Sequence, residues 1–399
     1  MSRPRPVVRS GLDRVAAGDA DALAPLTGRR VGLLCHAASV DAELRPARAV
    51  LEAAGVQVVA LFGPEHGLRA AAQDMVGVAS GETDLPVHSL YGERFEDLSP
   101  TPAQIAGLDA LVVDLQDVGS RYYTYVWTAA LCLVACAREG IPLVVLDRPN
   151  PLGGERVEGA PQRPGYRSFV GLYDVSVRHG MTIAELLRLV RARESLPEAA
   201  LELVEMQGYA RSMGFAATGL PWVLPSPNMP TLDTARVYPG ACLLEGTTLS
   251  EGRGHTRPFE VWGAPWLDGE RLARSLRGDP WLEGACLRPL HFSPTFHKHA
   301  GASCGGVQVH IVDVDAFRPY AAYLRMIEVA HGQCPAGTRF FRTEEYEYVA
   351  DRPALDLLSG GPEVREALEA GTSLDPLLHA DLEAAEAFRV SREPFLIYG

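Results

Sequence analysis

The chain has 399 residues, room for two to three domains at roughly 150 residues each, with 37 basic and 50 acidic side chains and a formal net charge of −13. A field of that sign repels phosphate backbones and anionic headgroups, so no nucleic-acid partner is expected. Lys298 is the sole lysine; followed by His299, it completes no Walker A loop, and any Schiff-base chemistry would rest on it alone.

In chain order, Val31 to Cys35 reads as a buried strand, Ala42 to Ala54 as a helix with apolar residues at helical spacing, and Val56 to Phe62 as a second strand. Leu108 to Leu115 is a third strand, Thr124 to Arg138 a long helix and Pro142 to Leu146 a fourth strand. Thr182, with Glu185 three residues on and Leu186, Leu187 and Val190 beyond, forms a capping box and predicts a helix over Met181 to Arg193. Leu201 to Met206 follows as a strand. Such alternation predicts an α/β fold with a doubly wound parallel sheet. The uncharged, proline-rich stretch Gly214 to Leu232 reads as an ordered irregular loop, and the domain seam is placed at its end, giving domains 1–232 and 233–399. The second, smaller domain reads as α+β or α/β. Val307 to Val312 alternates as a strand, Ala316 to Ala330 and Pro362 to Ala370 are helical, and Phe395 to Tyr398 is a closing strand.

In an open parallel sheet the loops beyond the carboxyl ends of the strands share one rim. Here those loops are Gly63-Pro64-Glu65-His66-Gly67, then Asp114 to Thr124, then Asp147-Arg148-Pro149-Asn150-Pro151. Glu65, fixed by Pro64 and flanked by glycines that let a ligand approach, suits a proton donor; a helix cap or an ion pair with Arg69 is the structural alternative. His66 suits orienting that carboxylate or binding substrate. Asp117 offers a second carboxylate, whereas Asp114, next to the strand, reads as an acceptor for backbone N–H groups. Arg121 and Arg148 suit a bidentate grip on an anionic group, or neutralise Asp114 or Asp147. Tyr122, Tyr123 and Tyr125 suit either a sugar face or the core. Downstream, Ser226-Pro227-Asn228 and the polar run Glu245 to Glu260, with Glu251, Arg253 and His255, make a poor core element and a plausible site wall.

The first strand-to-helix turn, His36 to Asp41, holds no glycine, and Gly252-Arg253-Gly254 lies outside a βαβ unit, so no dinucleotide cofactor is expected. No Gly-x-Ser-x-Gly elbow is present. His297-Lys298-His299 has a metal-like spacing with no neighbours to complete a ligand set, and no metal is expected. Seven scattered cysteines without a Cys-x-x-Cys pair argue against a disulfide framework. No apolar run follows the basic start Met1 to Arg9, which predicts a cytoplasmic chain, or a secreted or periplasmic one if the true start lies upstream. Tyr122 to Ala137, the longest uncharged helical run, is too short for a bilayer, so no membrane insertion is expected.

The motifs also carry a resemblance. Pro64-Glu65-His66-Gly67, Ser89-Leu90-Tyr91-Gly92, Asp114 to Gly119 with Arg121 and Tyr123-Thr124-Tyr125, and Leu146 to Pro151 stand in order. Ser168 to Gly171, His179 to Thr182, Ser226 to Asn228, Ser250 to Gly254 and Pro258 to Glu260 continue the series. From about Gly28 to Tyr398 the chain resembles the exo-β-N-acetylmuramidase family of glycoside hydrolases. That resemblance implies a Rossmann-like N-terminal domain, a smaller C-terminal domain and a cleft between them, and release of N-acetylmuramic acid from the non-reducing end of peptidoglycan fragments. It implies Glu65 as the general acid, with Asp117 or Glu251 as the second catalytic group. Substrate contacts would come from His66, Arg121, Tyr123, Arg148, Asn150, Ser226, Asn228 and Arg253. Thr248 and His255 depart from the family's usual residues, which leaves the aglycone preference open. The alternatives are a β-N-acetylhexosaminidase of different sugar preference and a non-catalytic binder of muropeptides. Oligomeric state is not read from the sequence.

Overall fold

The computed structural model describes residues 7–65, 67 and 84–399. Six strands, β1 (Arg30–Cys35), β2 (Gln57–Gly63), β3 (Val87–Ser89), β4 (Ala110–Asp114), β5 (Leu143–Leu146) and β6 (Leu201–Val204), form one parallel sheet in the order β3-β2-β1-β4-β5-β6. β4 and β5 are buried along their whole length, because helices cover both faces of a parallel sheet and leave no polar side to alternate with. The strand order reverses between β1 and β4, where Cys35 lies opposite Asp114. At that reversal the following loops part and open a crevice.

A second, antiparallel sheet comes from β7 (Val261–Ala264), β8 (Ala285–Phe292) and β9 (Cys304–Ile311) in the order β7-β9-β8. Helices Leu232–Ala241 and Pro319–His331 pack between the sheets so closely that a Cβ on Gly240 would lie 2.0 Å from the carbonyl oxygen of Pro319. One hydrophobic cluster runs from Leu34 through Trp127 and Trp262 to Phe388, so the two halves share a core.

The capping box at Thr182 is present: its hydroxyl accepts the Glu185 N–H at 3.3 Å and the Glu185 carboxylate accepts the Thr182 N–H at 3.0 Å. Two local expectations are corrected. The helix expected from Ala42 starts only at Ala47, because the Asp41 carboxylate captures the N–H groups of Glu43 and Arg45 in a turn that holds Leu44 at φ 65°. Phe395 to Tyr398 is no strand; the N–H groups of Phe395 and Leu396 close a tight turn onto Arg392 and Glu393, the Ile397 N–H goes to Glu185 Oε1 at 2.8 Å and the Tyr398 hydroxyl to Asp147 Oδ2 at 2.8 Å. The tail thus ties the C-terminal end to the rim of the first sheet.

Asp147 is fully buried there, and burial pushes its carboxyl up to about 7 against the pull of hydrogen bonds from Thr182 and Tyr398. An acid raised above its ordinary 3.8 binds its proton more tightly in the folded chain, so its contribution to stability falls as pH rises from about 4 to about 7. Asp147→Asn removes that dependence. Urea denaturation at a series of pH values is expected to show the stability difference moving in the variant's favour by up to ~4 kcal/mol between pH 4 and 8, whereas a constant difference would contradict the assignment.

Candidate active site

The crevice is built by loops from both sides of the strand-order reversal. After β1, His36 Nε2 accepts the Gln116 N–H at 3.0 Å, which leaves the ring proton on Nδ1, 3.2 Å from the Pro225 carbonyl oxygen. The Tyr125 hydroxyl donates to the same carbonyl at 2.8 Å. Two side chains therefore pin the proline-rich loop over the sheet, and the pinned loop presents Ser226 and Asn228 to the crevice. After β2, Glu65 is nearly buried and accepts the Thr124 hydroxyl on Oε2 at 2.6 Å. Thr124 is the N-cap of helix Tyr125–Arg138, so a rigid 14-residue element fixes the carboxylate's direction.

Glu65, Ser226 and Asn228 line a cleft of about 490 Å³, measured with the space open to solvent, together with Arg253 and an aromatic wall. In that wall Tyr123 stands 4.6 Å from Tyr125 and 6.0 Å from Tyr238 between ring centroids, and Phe259 lies edge-on to Tyr238 at 4.9 Å. Rings presented at different angles around an acid suit a sugar, which offers apolar C–H faces and hydroxyl edges together. Among the described residues, no group of three or more His, Cys, Asp or Glu is placed to hold a metal ion.

Arg253 reaches the cleft from an ion network behind the wall. It donates to Glu245 at 2.6 Å, lies 3.2 Å from Glu251, and sits over the Phe259 ring at 5.5 Å. Glu251 has no exposed surface and also meets His297 at 3.0 Å and Lys298 at 3.0 Å. Burial alone would raise its carboxyl, but Lys298, His297 and Arg253 together hold it well below the ordinary 4.5. The chain turns back at Gly252, φ 76°, where a Cβ would strike the Val261 carbonyl at 2.1 Å.

The structure brings Glu65, Tyr123, Ser226, Asn228 and Arg253 together on the cleft, while five other candidates stand away from its lining. Glu251 supports Arg253 from behind. Asp117 turns Oδ2 to the Gly119 N–H at 2.8 Å, with His179 Nε2 3.6 Å away. Arg121 is fully buried and donates to the carbonyls of Ala160, Val175 and Leu358. Arg148 forms a bidentate pair with Asp114, at 2.5 and 2.8 Å, and Asn150 bridges the Met181 carbonyl and the Leu152 N–H. Asp117, Arg121, Arg148 and Asn150 occupy rim loops and Glu251 the polar run of the second half, as expected, but backbone groups and buried charges claim their side chains. His66 lies outside the described residues.

Three cleft residues escaped the sequence reading: Tyr238, Tyr346 and Glu347. Tyr346 donates to Glu245 at 2.8 Å, and Glu347 is nearly buried. The alternation of acids and tyrosines over Glu345 to Tyr348 was the available signal, but its period of two reads as a short strand rather than as a turn that faces a cleft.

Since Glu251 holds its proton less tightly in the folded chain than in the unfolded one, its contribution to stability is full above about pH 4.5 and is lost as pH falls through the lowered value. Lys298→Met is expected to destabilise the fold by ~1–3 kcal/mol near neutrality. In denaturant titrations the gap from the parent should close as pH drops from about 5 to about 3. A gap that widens over this interval would show that Lys298 does not hold the Glu251 charge.

Comparison with known proteins places these features in a family. Two family models, described as Exo-beta-N-acetylmuramidase NamZ, N-terminal and C-terminal, match residues 31–233 and 236–398. The chain is 40% identical over 398 residues to the peptidoglycan beta-N-acetylmuramidase NamZ of Bacillus subtilis (strain 168), covering 99% of this chain and 92% of that protein. A crystal structure of a DUF1343 family protein from Bacteroides fragilis NCTC 9343 superposes with a TM-score of 0.87 at 31% identity, covering 99% of this chain and all of that one. Another DUF1343 family protein from the same organism gives 0.76 at 28% identity, covering 98% and 99% of the two chains. With matching models over nearly its whole length and a relative 40% identical across 99% of it, this chain belongs to the exo-beta-N-acetylmuramidase NamZ family.

Proposed function

We propose that this chain is a glycoside hydrolase that releases N-acetylmuramic acid from the non-reducing end of peptidoglycan fragments, with Glu65 as the acid that protonates the leaving oxygen. The observation that carries the reading is a nearly buried carboxylate, fixed by the threonine at a helix's N-cap position, on the lining of a tyrosine-walled cleft. The 40% identical relative is named as a peptidoglycan beta-N-acetylmuramidase. Cleavage of a glycosidic bond requires a proton donor at the leaving oxygen and a group that supports the oxocarbenium-like centre, and a polar cleft suits both.

Ser226 and Asn228 supply short hydrogen-bonding groups for ring hydroxyls or the acetamido group. Arg253 is the arginine among the described residues that line the cleft and would face the lactyl carboxylate, the group that distinguishes muramic acid from glucosamine. Its pairing with Glu245 and Glu251 tempers that attraction. The selectivity for the lactyl ether is accordingly open to measurement, and an N-acetylglucosaminidase is the reading that a weak Arg253 contact would favour.

Chromogenic N-acetylmuramic acid and N-acetylglucosamine glycosides, assayed side by side, test the sugar assignment, with a MurNAc-GlcNAc disaccharide and mass identification of the released sugar as the natural counterpart. Faster turnover of the muramic glycoside is expected. Glu65→Gln should lower kcat by ~10²–10⁴ while the melting temperature stays near that of the parent. Parent-like turnover by a folded Glu65→Gln protein would remove the acid assignment.

A further inference from the structure

We infer that Glu347 is the second catalytic carboxylate of the cleft, the group that takes the proton of the attacking water; this rests on the glycosidase reading above. The backbone carries the first argument. Glu347 and Tyr348 have φ of 47° and 65°, and reciprocal 3.0 Å hydrogen bonds between Tyr346 and Val349 close them into a two-residue hairpin turn. Turns with two central residues at positive φ strongly prefer Asn-Gly, and side chains such as Glu and Tyr are strained there. Strain of this kind persists where the surroundings over-determine it, and it clusters at functional sites.

The surroundings do over-determine it. Tyr346 is bonded to Glu245 at 2.8 Å on one side of the turn. On the other, the Tyr348 hydroxyl donates to the Gly92 carbonyl at 3.0 Å, and its ring packs against Tyr91 and Phe169. These anchors hold Glu347, itself 6% exposed, on the lining of the cleft that Glu65 also lines. Burial raises the phenols of both Tyr91 and Tyr348, and Glu65 and Glu347 each push them further up, so the two acids act on the same pair of rings.

Glu245, which also lines the cleft, holds Arg253 and Tyr346 in place. Glu251 is enclosed by three basic side chains, and Asp117 lies off the lining with Oδ2 on a backbone N–H. In the reaction Glu65 gives its proton to the glycosidic oxygen, and the bond from that oxygen to the anomeric carbon breaks with its electron pair going to the oxygen. The water oxygen bonds to the anomeric carbon and its proton passes to Glu347. One water is consumed, and exchange with solvent returns a proton to Glu65 and removes one from Glu347.

The test uses the full chain and the chromogenic muramic glycoside. Glu347→Gly removes the carboxylate and suits the positive φ, so it should melt no lower than the parent while kcat falls at least 100-fold. Added formate should restore turnover at least tenfold by supplying a carboxylate in the vacated space. Glu347→Gln keeps the side chain's size; it should lose kcat to a similar extent, without rescue by formate, and keep KM within a few-fold. A Glu347→Gly protein with kcat within threefold of the parent, or one whose loss formate does not restore, overturns the assignment. If the parent turns over only the glucosamine glycoside, the sugar assignment fails and the same variants are read on that substrate. A parent inactive on both glycosides overturns both readings.

Discussion

A single guanidinium, that of Arg121, finds acceptors for both of its terminal nitrogens only when three distant stretches of chain are in place. It has no exposed surface, and its donors reach the carbonyls of Ala160, Val175 and Leu358. Burial lowers its affinity for its proton, and a cation taken out of water costs several kcal/mol unless every nearby acceptor is aligned. The first sheet's rim loop, the segments that follow β5 and a helix of the C-terminal half must therefore assemble together. Arg392 repeats the device, donating to the carbonyls of His179, Gly180 and Gly154. These arginines, with the core that the two halves share, make the walls of the cleft one body.

Such a seam gives the cleft its chemical division of labour. Cations that hold the fold are committed to carbonyls or to buried acids: Arg121 and Arg392 to the seam, Arg148 to Asp114, Lys298 to Glu251. Arg253 alone among these five carries such a network onto the cleft's surface. The acids divide in the same manner. Glu251 and Asp114 serve as counter-charges, while Glu65 and Glu347 come to the cleft from opposite halves of the chain. The cleft's polar groups are thus held by the fold itself, which is what electrostatic stabilisation of a developing charge requires.

How much of this was legible in the sequence depended on the range of the interaction. Thr182 and Glu185 announce their helix because the capping box is closed within four residues. β4 and β5 are legible as apolar runs because both faces of the sheet are covered. Ala42 to Pro46 reads as helix but is not, because a side-chain turn at Asp41 outcompetes the pattern. Glu65 could be singled out as the acid of a rim loop. Nothing local told Asp117 from Glu347, since both are acids in irregular segments.

The sequence by itself determined the sheet, its helices, the family motifs and the rim on which polar loops gather, because these follow from periodicity, capping and the rule that loops at strand ends face one crevice. Only the tertiary structure decided which rim side chains are spent on the fold and which face the cleft. That choice is made by partners far away in the chain: Arg121 by Leu358, Glu251 by Lys298, Tyr346 by Glu245. A buried polar atom must find a partner wherever the fold supplies one, and the identity of that partner is not written near it in the sequence.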